Sequence, residues 1–460
     1  MRIVITGFRG TGKTQTGRLL SRLLGVPFID TDLLIEEKAG MPVYRIFREQ
    51  GEAHFRALER EVISCLHPGD AVIATGGGAI LDPVNVCRLR QGSTMFLLQA
   101  DEKTIEKRIA DTERPPLTKL ALREEIHELL QRRKAAYLAA ADFCIDTTTR
   151  SSNEAALIIQ RMLSEGTTSL QDRERGLSFI SSTGLGRDEA RRLEGVLTGR
   201  DYDPLKRLYA VVGNPCDHSL SPPLFQRLFS EYGINAHYTR ICTPDLGEMM
   251  RQARRLDLKG LSVTIPFKEE IMAHLNECDE DAAKIGAVNT VVFCGNRAYG
   301  SNTDWSGIRE PLAHHKGAKA VVIGAGGAAA AAVYALLDLG MEVTVLNRTP
   351  ERAEALAARF GCMHGPLRNF SRIKPEVIVH ATPLGMHGEG SPLRKDQLSP
   401  RMTVFDLVYT PPDTPLIRDA RAAGCEAIPG TEMFVRQACA QFTRFTGIDV
   451  PPGMVRGMLL

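Results

Sequence analysis

Gly7-Phe8-Arg9-Gly10-Thr11-Gly12-Lys13-Thr14 matches G-x-x-x-x-G-K-[ST], and the two unlike stretches on either side of it decide how the start of the chain is read. Before it runs Arg2-Ile3-Val4-Ile5-Thr6, short and β-branched as a strand is. After it Leu19, Leu20, Leu23 and Leu24 recur at helical spacing within 14–24. A glycine turn between strand and helix lets backbone N–H groups converge on phosphate oxygens, and the helix N-terminus adds positive potential. On this reading Gly10, Thr11 and Gly12 shape the cradle, Lys13 reaches the β- and γ-phosphates, and the Thr14 hydroxyl serves Mg²⁺. The pattern points to binding of a nucleoside triphosphate.

Working outward, further strands are predicted at 26–30, 71–75 and 95–98, with a long charged helix at 122–141. Strands alternating with helices imply a mostly parallel sheet covered on both faces, a three-layer α/β domain over 1–165. Residues 166–203 are rich in Arg, Asp and Glu, and only 187–197 has amphipathic helical spacing, so they read as a spacer. Alternation resumes with strands at 209–212, 261–265 and 288–293, assigned to one lobe over 204–305. A second lobe, 306–430, opens with strand, glycine turn, helix and strand across 319–346, the start of a Rossmann dinucleotide fold. Strands follow at 377–380 and 403–407, and a helix at 432–446 lies in a C-terminal segment, 431–460.

Composition narrows the classes. The 460 residues are 43% hydrophobic and 24% charged, which excludes wholesale disorder. A formal net charge of +2 argues against a dedicated nucleic-acid binder, so anionic partners must meet local arginine and lysine clusters. The ten cysteines show neither C-x-x-C spacing nor a zinc-ligand pattern, and read as reduced thiols of a cytoplasmic protein. The apolar run at the start is too short for a signal peptide, and the alanine-rich stretch 318–337 reads as a buried strand entering a helix rather than a membrane span. His314 and His315, adjacent in sequence, are predicted to face different sides of a helix and to form no metal site.

Four more motifs surround the phosphate loop: Phe28-Ile29-Asp30-Thr31-Asp32, Gly51-Glu52-Ala53-His54-Phe55-Arg56, Ala74-Thr75-Gly76-Gly77-Gly78-Ala79 and Glu113-Arg114-Pro115-Pro116-Leu117. Arg133 with Tyr137 completes the set. In this order they make residues 1–165 resemble shikimate kinase. The resemblance implies that Thr14 and Asp30 serve Mg²⁺, that Asp32 faces the substrate hydroxyls, and that Arg56 and Arg133 grip the shikimate carboxylate beside Gly77. It also implies that Arg114 meets the ATP phosphates from a lid and that Arg108 packs near adenine. The chemistry agrees: a small anionic ring calls for bidentate arginines, and a phosphoryl group in transfer calls for spread positive charge.

The second half carries Val212-Gly213-Asn214-Pro215, His218-Ser219-Leu220-Ser221-Pro222, Ser262-Val263-Thr264-Ile265-Pro266-Phe267-Lys268 and Gly286-Ala287-Val288-Asn289-Thr290. Asn302-Thr303-Asp304 and Gly430-Thr431-Glu432-Met433 with Gln437 follow. Residues 204–460 thereby resemble shikimate dehydrogenase. The resemblance implies that Ser219, Ser221, Thr264, Asn289, Tyr409 and Gln437 hold the substrate, with Lys268 and Asp304 as the polar pair at the reacting oxygen. Hydride delivered to a ketone leaves a developing alkoxide that needs a proton or positive charge close by, from Lys268 or Asp304. Many family members read Asn-Val-Thr where this chain has Ser262-Val263-Thr264.

The cofactor is read from Gly324-Ala325-Gly326-Gly327-Ala328-Ala329, a G-x-G-x-x-A turn after a strand. The next strand ends in Asn347-Arg348-Thr349, with Arg352 beyond, instead of Asp or Glu. Guanidinium groups there accept a 2′-phosphate, so NADP(H) is expected over NAD. Leu407 and Gly430 complete the cofactor set that the resemblance implies. The expectation for the whole chain is therefore NADPH-dependent reduction of 3-dehydroshikimate joined to ATP- and Mg²⁺-dependent phosphorylation of shikimate, with no nucleic-acid or membrane partner. The alternative is an NAD(P)-dependent quinate/shikimate dehydrogenase fused to a non-catalytic, regulatory kinase-like domain.

Overall fold

The computed structural model describes residues 1–110, 120–183, 185–199, 202–295, 297–386, 388 and 390–459. They form two compact units: Met1–Leu261 with Val292–Arg297 and Phe442–Asp449, and Ser262–Val291 with Ala298–Gln441 and Val450–Leu460.

The first unit begins β1 (Arg2–Gly7), α1 (Lys13–Leu24), β2 (Phe28–Asp30), α2 (Thr31–Ala39), α3 (Val43–Ser64), β3 (Ala71–Ala74), α4 (Pro83–Arg90), β4 (Ser93–Gln99), α5 (Glu102–Ala110), α6 (Leu122–Ala140), β5 (Phe143–Asp146) and α7 (Ser152–Glu165). Its sheet has the order β2-β3-β1-β4-β5, every neighbour parallel. Ile3, Ile5, Val72, Phe96 and Leu98 point to one face and pack on Leu20 of α1 and Ala155, Ala156 and Ile159 of α7. Val4, Ile73, Met95 and Leu97 are equally buried, as a sheet covered on both sides requires. The phosphate-loop sequence occupies the turn from β1 to α1.

Composition predicts a single helix in 166–203, and the structure has two: α8 (Leu170–Ser182) and α9 (Arg187–Leu197). Arg173 lies over the Tyr202 ring at 3.7 Å, and Ile180, Leu193 and Leu197 are buried. The unit continues with β6 (Arg207–Gly213), α10 (Ser221–Glu231), β7 (Ala236–Cys242), α11 (Leu246–Arg255) and β8 (Leu258–Val263). Tyr209, Phe225, Phe229, Tyr238, Phe442 and Phe445 stack or tilt on one another as its aromatic core.

Asp142, between α6 and β5, is nearly inaccessible and takes two arginines: Arg90 at 3.0 Å and Arg207 of β6 at 2.6 Å. Arg90 also donates to the Ala139 and Ala140 carbonyls, and Asp142 accepts from the Met95 amide. Removing one partner of a buried charge network strands the rest, so Asp142→Ala is expected to lower stability by about 3–5 kcal/mol. The measurement is the urea midpoint of the unfolding transition.

Two sulfur pairs correct the expectation of reduced thiols: Cys144–Cys294 and Cys216–Cys242 are disulfide-bonded. Their sequence separations, 150 and 26 residues, carry no local signature. Chain topology brings the partners together, which spacing alone does not reveal.

The next elements are β9 (Glu277–Cys278), α12 (Glu280–Ile285), β10 (Thr290–Cys294), β11 (Arg297–Ser301) and α13 (Asp304–Arg309). A six-stranded sheet has the order β7-β6-β8-β10-β11-β9. The second unit then runs β12 (Lys319–Ile323), α14 (Gly327–Asp338), β13 (Glu342–Asn347), α15 (Pro350–Phe360), β14 (Met363–Pro366), α16 (Phe370–Ile373), β15 (Val377–His380), β16 (Thr403–Asp406), α17 (Pro415–Ala422), β17 (Glu426–Ile428), α18 (Gly430–Thr446), whose last turn from Phe442 belongs to the first unit, and α19 (Pro452–Leu459). Its sheet, β14-β13-β12-β15-β16-β17, is parallel throughout and reverses direction of growth at β12, a doubly wound Rossmann order. Ala329 to Ala332 of α14 are wholly buried, since only small residues let that helix lie close to the strands. Among the described residues no helix is long and apolar enough to cross a membrane.

Candidate functional sites

The phosphate loop leaves β1 with Gly7, Gly10 and Gly12 at φ of 144°, 84° and 91°, values that L side chains avoid. Lys13 opens α1 and its Nζ donates to the Phe8 carbonyl at 3.0 Å, holding the ammonium over the loop. The Thr14 hydroxyl donates to Asp30 Oδ2 at 2.9 Å. Asp30 Oδ1 meanwhile accepts from the Asp32 amide at 3.1 Å, capping α2. A hydroxyl and a carboxylate brought together beside a phosphate cradle are the oxygen donors that Mg²⁺ takes, so the residues fit that ion. Arg108 of α5 donates to the Gly10 and Thr147 carbonyls, which ties it to the loop itself. Arg114 and the rest of 111–119 lie outside the described residues.

The glycine run after β3 is explained by close approach. A Cβ at Gly76 would stand 2.5 Å from Asp32 Oδ1, and one at Gly78 would stand 2.5 Å from the Arg56 guanidinium nitrogens. Asp32, Arg56 and the Gly76-Gly77-Gly78 backbone therefore converge on one spot. Arg56 pairs with Glu59 at 2.8 Å and Glu52 at 3.1 Å. Burial disfavours its charge, but these two carboxylates outweigh burial and hold Arg56 above its usual range. Burial pushes the Glu59 carboxyl up despite Arg56. On α6, Arg133 lies 5.9 Å from the Phe8 ring centroid. Tyr137, one turn further along α6, donates to the Gly77 carbonyl, and burial pushes its phenol up to about 12. Sequence reading did not single out Glu59 or the buried Glu125, which pairs with Arg9 of the phosphate loop. The three-residue step from Arg56 to Glu59 on a helix was the available signal.

In the second unit Lys268 Nζ lies 2.5 Å from Asp304 Oδ2, with Asp304 almost wholly buried at the start of α13. Asn289 Nδ2 donates to Asp304 Oδ1 at 2.7 Å and to the Thr303 hydroxyl at 2.9 Å. The Asp304 amide donates to Asn302 Oδ1 at 3.0 Å, and the Thr303 hydroxyl donates to the Gln437 carbonyl at 3.3 Å. The Tyr409 ring lies tilted against Phe434, and burial, followed by the Asp304 charge, pushes its phenol up. Thr264 closes the turn into Lys268 by accepting the Phe267 amide at its carbonyl. Ser262 donates to Gln441 Oε1 at 2.8 Å, and Gln441 donates to the Asn289 carbonyl. That side chain is thus committed to holding the network together. Ser219 and Ser221 sit in the first unit at the start of α10, the Ser221 amide donating to Ser219 Oγ at 3.3 Å.

The Rossmann turn fits a dinucleotide. A Cβ at Gly326 would meet nothing within 4 Å, leaving open space before the N-terminus of α14. A Cβ at Gly327 would stand 3.1 Å from Lys268 Cβ, so the turn and the Lys268–Asp304 pair adjoin. Ala325 and Ala328 flank this turn. Asn347 Nδ2 donates to the Thr349 carbonyl, and Arg348 and Arg352 are exposed beyond the end of β13, free of any strand-end carboxylate of their own. Leu407 follows β16, its amide on the His380 carbonyl, and Gly430 opens α18. His314 and His315 correct the expectation that they face apart: on the 3₁₀ turn Ala313–His315 their rings are 4.1 Å apart and both Nε2 atoms approach Glu426, at 3.6 and 3.2 Å.

Comparison with known proteins agrees with this geometry in both halves. The shikimate kinase family model matches residues 9–164. Models for the shikimate dehydrogenase substrate binding domain, shikimate/quinate 5-dehydrogenase and the shikimate 5′-dehydrogenase C-terminal domain match 211–291, 308–382 and 430–456. The chain is 41% identical over 261 residues to the shikimate dehydrogenase (NADP(+)) of Halobacterium salinarum, covering 55% of this chain and 98% of that one. Among solved structures, shikimate 5-dehydrogenase of Thermus thermophilus with NADP(H) and shikimate is 35% identical with a TM-score of 0.52, over 55% of this chain and 98% of that one. Quinate dehydrogenase of Corynebacterium glutamicum with NAD is 30% identical with a TM-score of 0.52, over 55% and 98%. With the Lys268–Asp304 pair beside a Rossmann turn in one half and a phosphate loop facing Asp32 and Arg56 in the other, the chain belongs to the shikimate dehydrogenase family and carries a shikimate kinase domain ahead of it.

Proposed function

We propose that this chain performs two successive steps on one small acid: NADPH-dependent reduction of 3-dehydroshikimate to shikimate, and ATP-dependent phosphorylation of shikimate to shikimate 3-phosphate. The observation that carries the reading is the coexistence of two complete polar constellations, Lys13–Thr14–Asp30–Asp32–Arg56 and Lys268–Asn289–Asp304. A regulatory, non-catalytic kinase-like domain is disfavoured, because Lys13, the Thr14–Asp30 pair, Arg56 and Arg133 are all present.

In the reduction, bound NADPH supplies the hydride to the carbonyl carbon. Lys268 meets the oxygen that becomes negative and gives it the proton that completes the alcohol, and Asp304 holds the ammonium in place at 2.5 Å. Asn289 fixes the second Asp304 oxygen, so the carboxylate keeps one face for Lys268 and the substrate hydroxyl. Thr264, Tyr409 and Gln437 are assigned to the ring, and Ser219 and Ser221 to its carboxylate.

In the phosphorylation, Asp32 accepts the proton of the attacking hydroxyl, while Arg56 and Arg133 fix the ring through its carboxylate and Gly77 offers backbone. Thr14 and Asp30 would hold Mg²⁺, which would supply positive charge to the transferring phosphoryl group. Arg108, bonded to the Gly10 carbonyl, steadies the loop near adenine.

Incubating the protein with 3-dehydroshikimate, NADPH and Mg-ATP tests the whole reading: shikimate 3-phosphate is expected with equal consumption of NADPH and ATP, and shikimate accumulating with ATP untouched would overturn the second activity. Cofactor choice has its own test. Arg348→Asp replaces an attraction for the 2′-phosphate with repulsion, and is expected to raise KM for NADPH by about 10²-fold while changing KM for NADH little. Equal effects on both would remove the assignment of Arg348.

A further inference from the structure

Residues between 164 and 211 lie between the ranges that the shikimate kinase and substrate binding domain models match, and they hold α8 and α9. Gly176 on α8 lies so close to Leu256, at the end of α11, that a Cβ would stand 2.4 Å from its Cδ2. Leu193 and Leu197 bury the inner face of α9. His237 on β7 is held down to about 4 by burial, then by the Lys206 and Arg192 charges. It is therefore neutral, and contributes no pH-dependent charge near neutrality to this interface. The pair of helices is bound to the lobe it precedes.

From α9, Glu189 Oε1 accepts from Arg240 Nε of β7 at 3.0 Å, both side chains one-fifth exposed. The same guanidinium donates through Nη1 to the Asp217 carbonyl. Asp217 stands between Cys216, bonded to Cys242, and Ser219, whose amide donates to the Cys216 carbonyl at 3.0 Å. Arg240 and Cys242, two apart on a strand, point to one face, so β7 anchors the Cys216–Ser221 turn at two adjacent places. One anchor is covalent. The other is a guanidinium whose orientation is set by a carboxylate from α9, through the fork geometry that only arginine offers.

The geometry points to Glu189 and Arg240 as positioning residues of the dehydrogenase: the pair holds the Cys216–Ser221 turn so that the Ser219 and Ser221 hydroxyls are preorganised for the substrate carboxylate. This rests on the reading that those serines bind that carboxylate. The spacer is thereby a brace for one active site, not only a tether between two.

Glu189→Gln keeps the shape and removes the charge. It is expected to raise KM for 3-dehydroshikimate about five- to tenfold. It is expected to leave kcat, KM for NADPH, KM of the kinase for shikimate and the melting temperature near wild type. Arg240→Lys keeps a cation but loses the fork, and is expected to raise the same KM at least as far. Since both act through one chain of contacts, the double variant is expected to be no worse than Arg240→Lys alone. Ser219→Ala run alongside separates the two ways of failing. If Ser219→Ala raises KM for the acid and Glu189→Gln does not, the brace is overturned while the serine reading stands. If Ser219→Ala leaves KM unchanged, the serine reading falls and the brace with it. A loss in Glu189→Gln spread over kcat, NADPH and melting temperature would mark a merely structural pair and also overturn the proposal.

Discussion

Lys268→Ala is expected to lower kcat for the reduction of 3-dehydroshikimate by about 10³-fold, within the span that a positioned acid–base group contributes. The pair at 2.5 Å is the reason for so large a loss. Asp304 is buried, fixed by Asn289 and by its own turn through Asn302, and cannot swing to replace the missing ammonium. Truncation thus removes the positive charge at the developing alkoxide and also leaves a buried carboxylate facing it with the wrong sign. KM for NADPH is expected to change little, because the contacts proposed for the cofactor lie in the turn after β12 and beyond β13. Stopped-flow or steady-state assays at 340 nm check the result. A kcat within tenfold of wild type would mean that another group delivers the proton and that Lys268 serves the fold. Phosphorylation of added shikimate by the same variant is expected to be intact.

Lys13→Ala is the mirror experiment. The Lys13 ammonium stands at the start of α1 and is held by the Phe8 carbonyl, where the proposed function puts the β- and γ-phosphates. Removing one preorganised electrostatic contact costs about 10²–10³ in kcat. A lysine that also cradles the ground-state phosphates is expected to give at least that loss in the kinase reaction. The reduction is expected to proceed unaltered. Shikimate should therefore accumulate from 3-dehydroshikimate, NADPH and Mg-ATP in place of its phosphate, and chromatography of the products checks it. Continued formation of shikimate 3-phosphate at the wild-type rate would contradict the placing of the triphosphate on this loop.

Much of both sites was legible because the chemistry sits where strands end. The turn from β1 to α1, the Asp30–Asp32 step into α2, the β12 turn and the Asn347–Arg348 end of β13 all carry local patterns of glycine, charge and periodicity, and the structure places them as expected. Several elements were not legible. β5, β9 and β17 are two to four residues long, too short for periodicity to speak. β7 carries His237 and Arg240, polar residues on a strand whose partner faces were not yet known. Helix α8 was missed because its buried side is little more than Gly176 and Ile180, a pattern that composition counts as spacer.

Within the sites, the misses have the same origin. Ser262 and Gln441, 179 residues apart, bond only because α18 returns beside β8 and β10. No local rule predicts such a pairing, although Gln437 and Gln441 stand four apart on one helix face and could have been taken together. Arg90, Asp142 and Arg207 belong to three segments with no shared motif. Each reads alone as an ordinary surface charge, and only the tertiary structure reveals the network.

That network bears on how a gene of this kind could be divided. A ribosome that has finished the first 165 codons has made Asp142 and one of its two cations; the other arrives with β6. Separate open reading frames cut within the intervening stretch would distribute the aspartate to one polypeptide and Arg207 to the other. Each product would then present the complement of what its sibling lacks, an intrinsic drive for co-expressed fragments to reassociate without any linker at all.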